Sequence, residues 1–212
     1  MAGVYGEYTK RISGEILNQT VVTMFFKENK MSKVYVFLAT GFEEIEAGTP
    51  VDILRRAGVD VKMVSIEDKE YVTGARGITF KADAKFSEID KDAADIIVLP
   101  GGMPGTTNLY NFAPLMDLIK EYNSKGKRIA AICAAPTIFG KLGLLEGRKA
   151  CCYPDMEDDL KGATVSYDSV VTDGNITTSR GMGTAIDFSL ELLTLLTDRQ
   201  NADEMAKKVV YR

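Results

Sequence analysis

From residue 32 onward a buried strand, a helix and a second buried strand follow one another without a break, and this succession limits the possible folds more than any other feature. SKVYVFLAT (32–40) is a near-continuous apolar run, EEIEAGTPVDILRRAG (43–58) switches to helical periodicity and stops at Gly58, and VDVKMVSI (59–66) returns to strand. Apolar strands joined through a helix pair in parallel and need cover on both faces. ADIIVLP (94–100), KRIAAI (127–132) and NITTS (175–179) extend the series. PLMDLIKEYNSKG predicts a helix with Pro114 as its first residue, Leu115, Leu118, Ile119 and Tyr122 on one face, and Gly126 beyond its end. GTAIDFSLELLTLLTD and NADEMAKKVV predict two more helices. The fold class is α/β with a mostly parallel sheet.

Two stretches depart from this rhythm. YVTGARGITF (71–80) reads as a β-hairpin, its apolar arms flanking a turn with two glycines. Residues 150–172 carry the acidic PDMEDD run and short β-like pieces, which suits an excursion at the sheet edge. Residues 1–30 show only a weak pattern, so the expected organisation is an N-terminal extension over 1–30 and one domain over 31–212. Neither an internal repeat nor a low-complexity linker is visible.

Composition narrows the function. The chain has 212 residues, 45% of them apolar, which is enough to build a full core. VVTMFF (21–26) is the longest apolar run near the start and meets Lys27, Glu28 and Lys30 at once, so no membrane span is expected. A net charge of -4, with basic residues scattered among acidic ones, offers no stripe for nucleic acid. Three cysteines without framework spacing suit a reducing, cytoplasmic setting, which makes the glycosylation-type triplets at Asn18 and Asn175 chance matches. There is no histidine at all. That excludes a Ser-His-Asp triad, a Cys-His dyad and any histidine-ligated zinc.

In an open parallel sheet, ligands collect beyond the carboxyl ends of the strands. The loop after the first strand carries Glu43, Glu44 and Glu46; another carries Gly101, Gly102 and Gly105; a third begins at Cys133. Each has an ordinary structural reading. Glutamates favour the first turn of a helix, glycine pairs make tight turns, and a lone cysteine fills a core. GGMPG lacks phosphate-loop spacing, and SRGMG (179–183) is a weak anion signal. Taken together they suit nucleophilic chemistry. A cysteine at a strand-to-helix turn is lifted above the sheet, and a helix start lowers its pKa. Amides of Ala134 and the Gly101-Gly102 turn would form an oxyanion hole, and a buried glutamate would take over the proton transfers that imidazole cannot perform.

GFEEIEAGTPVDILRRAG, LPGGMPG, AAICAAP and TSRGMGTAIDF, in this order, resemble the ThiJ/PfpI superfamily over about residues 32–200, in the branch of the parkinsonism-associated deglycase and its bacterial relatives. The resemblance implies a flavodoxin-like three-layer sandwich and a homodimer. It also implies a reactive Cys133, a protonated Glu46 hydrogen-bonded to its thiolate, oxyanion-hole amides at Gly102 and Ala134, and polar pocket positions at Arg76, Ser179 and Arg180. Family members that place a histidine near the cysteine have Ala134 or Tyr153 in its stead here, which argues against peptidase and amidotransferase activity. Tyr153 offers a phenol, a poor base at neutral pH, or an aromatic pocket wall. Cys151 and Cys152 point to opposite strand faces and read as core packing.

The expected function is cofactor-free and metal-free processing of a small reactive carbonyl or glycated substrate, through a hemithioacetal on Cys133 with Glu46 as proton shuttle. The alternative is a redox-responsive stress protein or holdase chaperone that senses oxidation of Cys133 without turnover. A thiamine-related label attaches to such sequences by family naming alone.

Overall fold

The computed structural model describes residues 31–211, so the extension expected over residues 1–30 lies outside the described residues. The domain opens with β1 (Lys33–Leu38), α1 (Glu44–Arg56) and β2 (Asp60–Ser65), the βαβ unit expected from the sequence. The hairpin follows as β3 (Tyr71–Thr73) and β4 (Thr79–Lys81), paired antiparallel, and then a short β5 (Ala84–Lys85). β6 (Ile96–Leu99), α2 (Gly105–Asn111), α3 (Ala113–Ser124), β7 (Arg128–Ile132) and α4 (Pro136–Lys141) continue the alternation. The excursion contains β8 (Lys149–Ala150), β9 (Thr164–Val165) and β10 (Val170–Asp173). The chain then runs through β11 (Ile176–Ser179), α5 (Ala185–Leu196) and α6 (Arg199–Lys208).

Seven strands form the central sheet in the order β10-β11-β7-β6-β1-β2-β5. All pairings are parallel except β10 with β11 at the edge. β1 shows why both faces are covered. Val34, Val36 and Leu38 enter one core cluster with residues of α1, α5 and α6, whereas Tyr35 and Phe37 enter the other with residues of α2, α3 and α4. Alternating side chains of one strand thus feed two cores, which makes three layers.

Apart from the two-residue β5 at the edge, the parallel strands run β2-β1-β6-β7-β11, that is second, first, third, fourth, fifth, the flavodoxin-like arrangement. The chain leaves β1 toward β2 on one side and later returns to β6 on the other. Between β1 and β6 lies the topological switch point, where the connecting loops diverge and leave a crevice. None of the described helices is long and apolar enough to cross a membrane.

Candidate active site

Three strand ends build the crevice. Beyond β1, Glu43 caps α1, its carboxylate accepting from the Glu46 amide at 2.7 Å. Glu46 then shares one face of α1 with the buried residues Pro50 and Leu54, four and eight positions on. It is 1% exposed. A carboxyl in the apolar stripe of a helix is costly unless it is paired, and this one accepts from the Gly101 amide at 3.0 Å and from the Met182 amide, and meets the Cys133 thiol.

Beyond β6, the chain passes so close to this pair that only glycine fits. A Cβ at Gly101 would lie 2.7 Å from both the Cys133 Cβ and the Glu46 Oε2. Gly102 adopts a φ of 88°, and its carbonyl accepts from the Thr106 amide at 2.8 Å while the Gly101 carbonyl accepts from Glu43 at 2.9 Å.

Beyond β7, Cys133 turns the chain with a φ of 65°, a left-handed conformation that a side chain rarely adopts. Its backbone is held from two sides: the amide donates to the Ser179 carbonyl at 2.9 Å, and the carbonyl accepts from the Tyr153 amide at 2.8 Å. The turn expected at Cys133 is therefore present. The helix after it differs from expectation, because α4 starts only at Pro136 and runs for six residues. The charge state differs as well. Burial, reinforced by the Glu46 carboxyl, pushes the Cys133 thiol up to about 12, against the donors at the amides of Ala134 and Gly102. Glu46 is raised to about 7, chiefly by burial, with Glu43 adding to it and the thiol opposing.

Burial raises both groups, and the Glu46 carboxyl raises the thiol further, so the pair resists losing both protons. A helix dipole cannot outweigh a neighbouring carboxylate at contact distance. Near neutral pH the carboxyl is about half ionised while the thiol keeps its proton, which places a base in contact with a protonated thiol.

Cys133 and Glu46 open into a cavity of about 660 Å3, which Gly102, Ala134, Arg76 and Tyr153 also line. The structure thus brings these sequence-derived residues together, with Gly101 directly beneath them. Ser179 and Arg180, expected at the mouth, are not among the lining residues. Ser179 is fully buried and bonds the Ser169 carbonyl at 2.8 Å and the Thr184 hydroxyl at 2.7 Å. Arg180 lays its guanidinium over the Tyr167 ring at 5.6 Å. Cys151 and Cys152 are free and buried, the first against the Thr178 hydroxyl, as core packing requires. Among the described residues no cluster of acids and cysteines is arranged to hold a metal.

Sequence reasoning left Glu44 without a task. It is buried, and its Oε1 accepts from the amides of Arg76 at 2.6 Å and Ile78 at 3.3 Å, clamping the β3–β4 turn over the cavity. The signal was its spacing, three and seven residues before the buried Ala47 and Val51. Met103, Met156 and Met182, also unassigned by the sequence, line the cavity.

Residues 32–195 match the model of the DJ-1/PfpI family. The DJ-1 homolog B of Arabidopsis thaliana is 38% identical over 96% of this chain and 47% of its own. A deglycase of Pyrococcus abyssi is 34% identical over 77% of this chain and 99% of its own. The structure of oxidised Toxoplasma gondii DJ-1 is similar with a TM-score of 0.82 at 39% identity, covering 85% of this chain and 98% of that one. The chain spans about half the length of its Arabidopsis relatives, 47% and 46%.

Proposed function

The chain belongs to the DJ-1/PfpI family, and from that premise we propose that it processes small reactive carbonyls by cysteine-dependent, cofactor-free chemistry of the glyoxalase or deglycase type. The observation that carries this reading is the buried contact of Glu46 with Cys133 at the floor of an open cavity. The deglycase name of the Pyrococcus relative supports it.

The ionised Glu46 takes the Cys133 proton as sulfur attacks the aldehyde carbon, so a thiol with a raised pKa needs no prior ionisation. Amides of Gly102 and Ala134 receive the developing oxyanion, which regains the proton and leaves a hemithioacetal. Glu46 next carries the C–H proton to the adjoining carbonyl carbon while the hydroxyl proton passes to its oxygen, giving a 2-hydroxyacyl thioester. Water cleaves the C–S bond, releasing a 2-hydroxy acid and restoring the thiol. Lactate formation from methylglyoxal tests the scheme: Cys133→Ser is expected to lower it at least ~100-fold, and normal activity in that variant would sink the mechanism.

A second reading draws on the oxidised state of the similar Toxoplasma protein. Peroxide would convert Cys133 to a sulfinate, and the protein would act as a redox-responsive stress protein or holdase. Peroxide-dependent modification of Cys133 with negligible dicarbonyl turnover would favour it. The proposal also includes a homodimer, supported by the half-exposed Ile45 beside an apolar groove with Ile186 and Val209, and checked by light scattering. Three free cysteines support a reducing, cytoplasmic setting.

A further inference from the structure

The cavity above Cys133 is much larger than a three-carbon dicarbonyl requires, and its lining is mostly apolar, with Arg76 and Glu43 among the charged groups in its wall. Its volume of about 660 Å3 belongs to the range of sites that enclose a whole ligand. Met103, Tyr153 and Met182 stand around it with 58%, 51% and 52% of their surfaces open to water, and Ile78 and Met156 extend the apolar lining. Large apolar side chains left exposed around a polar centre mark a binding surface.

Their attachment ties this rim to the chemistry. Met103 follows Gly102 directly, the Tyr153 amide donates to the Cys133 carbonyl at 2.8 Å, and the Met182 amide donates to the Glu46 carboxyl. The Tyr153 ring also covers Gly181, where an added Cβ would lie 3.4 Å from it and 3.9 Å from the Glu46 Oε1. An apolar group extending from a carbonyl bound at Cys133 therefore meets two thioethers and an aromatic ring. Thioethers adapt to a ring edge, and a phenol ring offers its face.

Resting on the carbonyl-processing reading, we propose that the preferred substrate is a 2-oxoaldehyde whose second carbon bears an aryl or branched alkyl group, held against Met103, Tyr153 and Met182. For phenylglyoxal the bond changes are those of the scheme above: sulfur adds, one proton moves from the first carbon to the second, and one water cleaves the thioester to give mandelate.

The experiment compares kcat/KM for phenylglyoxal and methylglyoxal in the full chain, each normalised to the aldehyde's own rate of reaction with a free thiol. A ratio of at least ~10 is expected. It should fall several-fold in Met103→Asn/Met182→Asn and, separately, in Tyr153→Ser, with circular dichroism reporting that each variant is folded. Methylglyoxal turnover with a ratio at or below one, or a ratio that both folded variants leave unchanged, overturns the substrate class and leaves the carbonyl reading standing. Turnover of neither aldehyde overturns both.

Discussion

The buried Glu46 carboxyl meets the partly buried Cys133 thiol, so the pair is neutral below the carboxyl's pKa of about 7 and singly charged above it, and this governs how the site responds to pH. Glu46 ionises near 7, so a base that deprotonates the attacking thiol becomes available as pH rises through that value. The kcat/KM for methylglyoxal should climb between pH 6 and 8 with a midpoint near 7, and Glu46→Gln should lose at least ~100-fold together with the climb. A profile unchanged in that variant would assign the proton to another group. The same shift bears on stability. The folded-state pKa of Glu46 lies above its ordinary value of 4.5, so the unfolded chain releases this proton first. The folded state is therefore favoured fully below pH 4.5 and loses on the order of 3 kcal/mol as pH rises to about 7. Glu46→Gln cannot ionise, so its urea midpoint should move less than the wild type's between pH 4.5 and 8, and equal movement would contradict this source of the effect. The order of strand ends made it legible that the glutamate loop meets Cys133, whereas the choice of Glu46 among Glu43, Glu44 and Glu46 came with the family resemblance. The direction of the thiol shift was not legible, since it depends on burial and on a contact between residues far apart in the chain.

At the scale of elements, α1 does two jobs with one turn. Glu46 points into the reaction centre, while Glu44, two residues earlier, holds the β3–β4 hairpin through two backbone amides. That hairpin brings Arg76 and Ile78 to the cavity wall, so the clamp links a helix start to the shape of the binding site. Glu44→Ala removes the acceptor from both amides and should cost about 1–3 kcal/mol, whereas Glu44→Gln, which keeps an acceptor oxygen, should cost less. Hydrogen exchange offers the direct check: the Arg76 and Ile78 amides should exchange faster in Glu44→Ala while β7 amides stay protected, and unchanged protection at the turn would refute the clamp. The sequence announced the hairpin through its glycines and the helix through its periodicity. It did not announce α2, whose residues GTTNLYN carry no apolar stripe, or β5, which is two residues long. Both are held by neighbours rather than by local preference.

For the whole molecule, strand order explains why these loops meet. β1, β6 and β7 are adjacent and parallel, so their carboxyl ends lie on one edge of the sheet, and the reversal between β1 and β6 opens the crevice there. Alternation of strands and helices made the layered class legible from the sequence, whereas the order of strands came with the family resemblance and is visible in the pairings. The antiparallel edge of β10 had no such signal beyond the irregular composition before it. Among the described residues, both core clusters are assembled from side chains between Val34 and Val209, and the family match begins at residue 32. This supports the proposal that residues 31–212 form a domain able to fold alone. A chain beginning at Met31 should melt within about 3 °C of the full chain, equivalent to about 1 kcal/mol for a domain of this size, and keep its Cys133-dependent turnover. Calorimetry and a lactate assay decide it. A large drop in melting temperature would make residues 1–30 part of the folding unit, and unchanged melting with lost turnover would make them part of the site.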